Sequence, residues 1–303
     1  MGYRLDDPDD PEADLRRAAA EQLDQALGEA TDADLAAGRR VHQVRKRCKK
    51  VRGLLRLFRG SFDAYGDENR RLRDLARSLS AIRDADVRVQ TLDEALEGVD
   101  DAGRMGELRA RMQAKRESAL SEAEDRLERA ATELRRAREE ARSWSLDRSD
   151  GDERDPFAAV HDGLVRTYRR GRAAMAAAID EPTPERLHEW RKRVKYHWYH
   201  LRLLEPAWPE ALAPQRKAAD ALGSLLGDDH DFAVLRRAIG DELDALDDVT
   251  RAAMLPDAVY RRIDDHRVEL QARARRLGRL VFAERPRNLA ERLAGYWSAW
   301  RAS

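Results

Sequence analysis

A nine-residue segment that occurs twice without a gap constrains this chain more than any other feature. Val41-His-Gln-Val-Arg-Lys-Arg-Cys-Lys49 matches Leu187-His-Glu-Trp-Arg-Lys-Arg-Val-Lys195, at an offset of 146 residues (188 − 42). The match continues through Leu55/Leu201, Arg56/Arg202 and Leu57/Leu203. A second pair, Leu79–Val87 and Leu226–Val234, follows at an offset of 147 (226 − 79). Repetition at a fixed period means one structural plan used twice. The expected architecture is all-α, with two homologous four-helix bundles related by a pseudo-twofold axis. Residues 1–147 form one half and 148–303 the other.

The all-α expectation rests on composition and punctuation. Strong helix formers dominate, β-branched runs are absent, and charged residues reach 38% at a mean hydropathy of −0.78. Helical spacing predicts Asp14–Ala30, then a helix capped by Thr31 or Asp32 that ends near Gly60. One helix from Glu68 to Leu96 and one from Glu107 to Ser143 follow, separated by a polar turn at Gly98–Gly106. Ser143–Asp155 reads as the linker. In the second half Asp155-Pro156 and Thr183-Pro184 each announce a helix start. Pro214 opens another helix, punctuated at Gly227-Asp228, and Pro256 and Pro286 open the last two.

Arg39–Arg59 holds ten Lys and Arg residues and no acid, although the whole chain balances 58 bases against 58 acids. On a wheel of ~100° per residue, His42, Arg45, Lys46, Lys49, Arg52 and Arg56 share one arc. Val41, Val44, Cys48, Val51, Leu54, Leu55 and Phe58 share the other. The copy repeats this division. His188, Arg191, Lys192, Lys195 and Arg202 lie with Trp198 and Tyr199, opposite Leu187, Trp190, Val194, Leu201 and Leu204. Like charges at these spacings repel by a few tenths of a kcal/mol per pair. Acids on other helices or an anionic ligand must offset that, since neither basic arc carries a suitably spaced acid. Ion pairing alone would not require the same spacing twice, histidine included, so the duplicated face points to a shared groove for an extended polyanion. Arg47 and Arg193, at the edge of the apolar arc, read as structural bridges to neighbouring helices.

Other chemistries find less support. Neither His42 nor His188 has a Ser, Cys or carboxylate on its own face to form a dyad, so donation to phosphate is the better role. His197 and His200 stand three apart but lack a completing carboxylate, and Asp228-Asp229-His230-Asp231 reads as a helix cap, so no metal is expected. No Walker, Rossmann, nucleophile-elbow or zincin motif is present, and no cofactor or catalytic residue is assigned. The single Cys48 is read as a core residue in a reducing compartment. With no visible signal peptide and no long apolar run, the expected location is cytoplasmic.

His42-Gln-Val-Arg45-Lys46-Arg-Cys-Lys49 and His188-Glu-Trp-Arg191-Lys192-Arg193-Val-Lys195 together resemble the paired motifs of the CHAD family, the conserved histidine α-helical domain. Arg83-Asp84-Ala-Asp86-Val, Leu226-Gly227 with Asp231, and Phe282-Ala-Glu-Arg-Pro286 through Tyr296-Trp297 are similar to further segments of that family. The resemblance implies two helical bundles about a pseudo-twofold and a basic central groove or pore. It also implies inorganic polyphosphate as the ligand and association with polyphosphate granules. One departure is plain: His230 and Ala233 stand where the first half has Arg83 and Asp86. No β-rich segment corresponds to the triphosphate-tunnel domain fused to some members, so its hydrolytic chemistry does not carry over. The reading is therefore a non-enzymatic polyphosphate-binding module. Two alternatives remain at this stage. One is a nucleic-acid-binding protein, disfavoured by few stacking aromatics. The other is a metal-dependent phosphohydrolase drawing on Asp84, Asp86 or Asp228–Asp231.

Overall fold

The computed structural model describes residues 2–97, 105–147, 155–246 and 257–303. Among these, every regular element is helical. In chain order they are α1 (Pro11–Thr31), α2 (Ala37–Leu57), α3 (Tyr65–Ser78), α4 (Ser80–Leu96), α5 (Gly106–Ser121) and α6 (Ala123–Ala141). Then come α7 (Ala158–Asp180), α8 (Pro184–Leu204), a 3-10 turn at Glu205–Ala207, α9 (Pro209–Asp244), α10 (Asp257–Val281) and α11 (Pro286–Arg301). The 98–104 part of the expected polar turn, most of the linker (148–154) and Pro256 lie outside the described residues.

Capping explains some boundaries and side-chain competition others. Thr183 accepts from the Arg186 amide and Pro184 fills the first turn of α8, as its sequence predicts. Neither Thr31 nor Asp32 caps α2; that helix starts after Ala36 with no side-chain cap, and Asp32 closes α1. The helix expected over Glu68–Leu96 is two, broken at the buried Leu79. Ser78 and Ser80 turn their hydroxyls back onto the carbonyls of Leu75 and Arg77 there, a bond that competes with the helical ladder. Ser121 bonds the Ser118 carbonyl in the same way where the helix expected over Glu107–Ser143 divides into α5 and α6. Conversely, α9 runs unbroken through Pro214 and through Gly227-Asp228. An isolated helical glycine costs only about 1 kcal/mol against alanine. A long packed helix absorbs that, so Asp228–Asp231 is not a cap.

The apolar faces form two clusters, and each draws on both halves of the chain. The larger joins α1, α2, α3 and α6 to α7, α8, α11 and the near ends of α9 and α10. The smaller joins Leu92, Leu108 and Met112 of α4 and α5 to Leu235, Ile239 and Ile263 of α9 and α10. At the centre α2 crosses α8, where a Cβ on Gly53 would lie 2.9 Å from the Cβ of Tyr199. Those two positions are equivalent under the 146-residue offset. Gly163 lets α7 approach equally closely, since a Cβ there would collide with the carbonyls of Arg56 and Leu57. The acidic leader is built into this centre. Tyr3 is buried, donates to the Lys50 carbonyl at 2.7 Å and packs edge-on against Tyr199, and the Leu5 amide bonds the Leu203 carbonyl at 2.9 Å.

Candidate functional site: a basic groove between α2 and α8

The buried arcs of α2 and α8 leave their polar arcs beside α4 and α9, where a groove between the two basic faces is the candidate site. Lys49 of α2 stands close enough to Arg191 of α8 to be perturbed by it, and His188 feels Lys49 in return. The two halves therefore present their basic faces to one space. Although the Lys49 side chain is open to solvent along the groove, its surroundings push the ammonium down to about 8. Desolvation is the main cause, with Arg45 and Arg191 adding repulsion.

The competing explanation, neutralisation by acids, holds for some cations only. Lys192 pairs with Glu189 at 2.5 Å and Lys195 with Asp220 of α9 at 3.1 Å. Glu189 also engages Arg193, so the second basic helix does carry an acid that pairs with its own cations. Arg45 donates to the Ala76 carbonyl and Arg52 to Asn69. Lys46, Lys49 and Arg191 have no ion-paired or hydrogen-bonded acid among the described residues. The Arg191 Nε is buried without a partner. Its guanidinium lies against α9 where a Cβ on Gly227 would sit 3.3 Å away, and Lys195 lies likewise against Gly223. The absence of two side chains on α9 thus makes the room these cations occupy.

The histidines are held neutral. Burial first, and then Arg83, Lys46 and Lys49, lower His42, while burial, Lys192 and Arg191 take His188 down to about 4. His188 stacks on His230 with ring centroids 4.1 Å apart, and His230 is pushed to about 3 by burial and by His188. Arg83 faces His42 as His230 faces His188, which gives the exchanged residues of the second repeat equivalent places. Asp86 is committed to Arg83 at 3.0 Å and to Arg116 at 2.9 Å. Asp228 and Asp231 line the α9 wall, where burial raises both carboxyls and Arg191 opposes the rise. Asp229 is fully buried and bonded to Arg267 and Gln271. No cluster of three or more His, Cys, Asp or Glu side chains among the described residues is arranged to hold a metal ion.

Two expected groove residues lie elsewhere. Arg56 stacks 3.9 Å over Tyr196, and Arg202 sits with Trp198 and the leader around Tyr3 and Lys50. These are opposite sides of the Gly53–Tyr199 crossing. Tyr199 is buried in that crossing and offers no stacking surface, whereas Trp198 lies half-buried beside Lys195. Arg47 is the bridge the wheel suggests, bonded to Glu29 and Gln22 of α1. His197 and His200 are core residues. Sequence reading left Arg83, His230 and the Gly223/Gly227 pair without a role. The second repeat, Leu79–Val87 against Leu226–Val234, contains or adjoins all but Gly223.

Comparison with known proteins bears on the fold and the family. The solved structure of PptA from Streptomyces chartreusis superposes with a TM-score of 0.63 at 18% identity, covering 91% of this chain and 99% of that one. The crystal structure of the CHAD domain from the plant Ricinus communis gives a TM-score of 0.54 at 20% identity, covering 93% and 94%. At such identities the likeness speaks for the fold. No curated protein matches the sequence. The family model for the CHAD domain matches residues 17–240, which takes in both basic helices, α4 and nearly all of α9. With both histidine motifs, His42 to Lys49 and His188 to Lys195, inside that match, the chain belongs to the CHAD family.

Proposed function

We propose that the groove binds inorganic polyphosphate as a linear polyanion, without turning it over, and that this would recruit the protein to polyphosphate granules. The observation that carries this reading is that Lys46, Lys49 and Arg191, from both halves, have no ion-paired acid among the described residues. Condensed phosphate offers one negative oxygen set per unit, which suits a row of Lys and Arg donors. Neutral His42 and His188 add donors without adding charge. Among the described residues no group of three or more His, Cys, Asp or Glu is arranged to hold a metal ion, although Asp84, Asp228 and Asp231 lie near one another; unchanged chain length after incubation with polyphosphate and divalent cations is the expected result. Stacking aromatics are sparse along the groove, which favours a ligand without bases.

Salt provides the direct test. If Arg45, Lys46, Lys49, Arg191, Lys192 and Lys195 all engage, log affinity is expected to fall against log salt with a slope of about −4, taking ~0.7 per contact as for single-stranded nucleic acid. Between ~50 and ~200 mM salt the affinity then drops about two orders of magnitude. A slope shallower than about −1 in polyphosphate titrations would count against the reading.

Binding is also expected to take up a proton near pH 8. Lys49 is half neutral there in the free protein, and a polyanion restores its charge. Affinity therefore weakens as pH rises through about 8. Calorimetry in buffers of different ionisation enthalpy measures the uptake, and Lys49→Met is expected to abolish it. Lys50, also lowered to about 8 but facing Tyr3 and Arg202, remains as the internal control.

A further inference from the structure

A second group of cations lies on the side of the crossing away from Arg202. Arg56 rests 3.9 Å over Tyr196, and Arg59 rests 4.7 Å over Tyr65. Arg166 and Arg170, four apart on the exposed face of α7, stand next to them together with Arg193 of α8. All three lie close enough to Arg59 to repel its guanidinium. The acid nearest Arg170 is Glu189, already engaged with Lys192 and Arg193. Arg59, Arg166 and Arg170 have no ion-paired or hydrogen-bonded acid among the described residues.

Packing does not demand these charges, as the opposite flank demonstrates. Helices α1 and α7 bury the same positions at an offset of 145 (160 − 15): Leu15/Val160, Ala18/Gly163, Ala19/Leu164, Gln22/Thr167, Leu23/Tyr168 and Ala26/Gly171. At that offset Glu21 stands where α7 has Arg166, and Glu29 stands where α7 has Ala174. Arg47, the counterpart of Arg193, is neutralised by that Glu29 at 2.7 Å. Arg59 has Glu205 as its counterpart under the 146-residue offset, and Glu205 is bonded to Arg216. One flank of the crossing is charge-balanced. On the other, Arg166, Arg59 and Ala174 stand at the places of Glu21, Glu205 and Glu29, while Asp162, which lies beside Gly60, takes the place of Arg17 and is the one acid gained.

Guanidiniums held over tyrosine rings are oriented as well as charged, and their forks match phosphoryl oxygens two at a time. We propose that this arginine–tyrosine flank is a second anion site, separate from the groove, that takes phosphoryl groups of a condensed phosphate chain. The choice of condensed phosphate rests on the groove reading above; the anion chemistry of the flank does not. Arg52, whose carbonyl accepts from Arg56 at 2.9 Å, lies between the groove side of α2 and the flank, so a long chain has a basic path from one to the other.

Calorimetric titration with tripolyphosphate at low salt tests this on the full chain. The wild type is expected to bind two equivalents and Arg166→Ala/Arg170→Ala one. Both residues are exposed, so the melting temperature should not move. Lys49→Ala/Arg191→Ala is expected to lose the other equivalent, and the quadruple variant both. Two equivalents retained by Arg166→Ala/Arg170→Ala would overturn the proposal, as would sulfate displacing tripolyphosphate from the flank at equal concentration. One equivalent in the wild type, lost in Arg166→Ala/Arg170→Ala and untouched by Lys49→Ala/Arg191→Ala, would uphold the flank and remove the groove reading instead.

Discussion

Replacing Lys49 and Arg191 together by alanine is expected to lower the affinity for long-chain polyphosphate by about two orders of magnitude at low salt. A hydrogen bond to a charged group is worth about 1.5–3 kcal/mol, and ~1.4 kcal/mol is a factor of ten in binding. Two such contacts supply about 3 kcal/mol or more. These two residues are chosen because neither is ion-paired or hydrogen-bonded to an acid among the described residues, although Asp84 lies near Lys49 and Asp228 and Asp231 near Arg191. Lys192 and Lys195 must first leave Glu189 and Asp220. Their replacement is therefore expected to cost only a few-fold, although their formal charge is the same. Filter binding or fluorescence titration of the double variant beside Lys192→Ala and Lys195→Ala separates the cases. Equal losses at all four positions would mean that charge count alone sets affinity and that pre-formed pairing is irrelevant.

Acidification from pH 7 to pH 5 is expected to remove about 4 kcal/mol of folding stability through two buried histidines. His197 and His200 are enclosed in the main core, and burial takes each down to about 3. His197 lies between Tyr168 and Phe282, and His200 is enclosed against the backbone of Gly53. In the unfolded chain both titrate near 6.5. Because the folded values are depressed, the unfolded state holds more protons between about 3 and 6.5. Stability is then fully present above 6.5 and falls as the pH drops through that window, by about 2 kcal/mol per histidine at pH 5. His188 and His230, lowered to about 4 and about 3, add to this loss, while Asp14, Glu68, Asp228 and Asp231, whose carboxyls are raised by burial, work in the opposite direction over part of the same range. Urea midpoints at the two pH values measure the sum. A His197→Phe/His200→Leu variant is expected to show a flatter pH dependence whatever its absolute stability. An unchanged slope in that variant would place the acid sensitivity elsewhere.

The helical wheel found the site's charge, because helical period and like-charge repulsion are both local properties. It placed His42, Lys46 and Lys49 on one arc and the core residues Val41, Val44 and Cys48 on the other, as the fold has them. What it could not supply was the neighbour each side chain meets. Arg56 and Lys49 are about 20° apart on the wheel yet face different surroundings, since α8 crosses between them at Gly53. Tyr199 shares the arc of Lys195 but is closed over by the same crossing. Helix continuity failed for a related reason. Gly227 looks like punctuation locally and serves as space for Arg191, while Ser78, Ser80 and Ser121 look innocuous and end helices. The leader gave no apolar period at all, because Tyr3 and Leu5 are buried singly, against residues far along the chain.

The meeting of Gly53 with Tyr199 has a kinetic meaning as well. Each basic helix packs against a close sequence neighbour, α2 on α1 and α8 on α7. The groove itself is closed only when positions about 146 residues apart come together. Closing so long a loop costs chain entropy that is repaid late, once the long-range contact forms. A nascent or partly unfolded molecule would then display two separate basic helices and no shared groove. Ligand that requires both walls binds the finished fold alone and draws the population toward it by mass action. The polyanion would in that way act as a template for docking, holding in one place two helices whose own charges drive them apart.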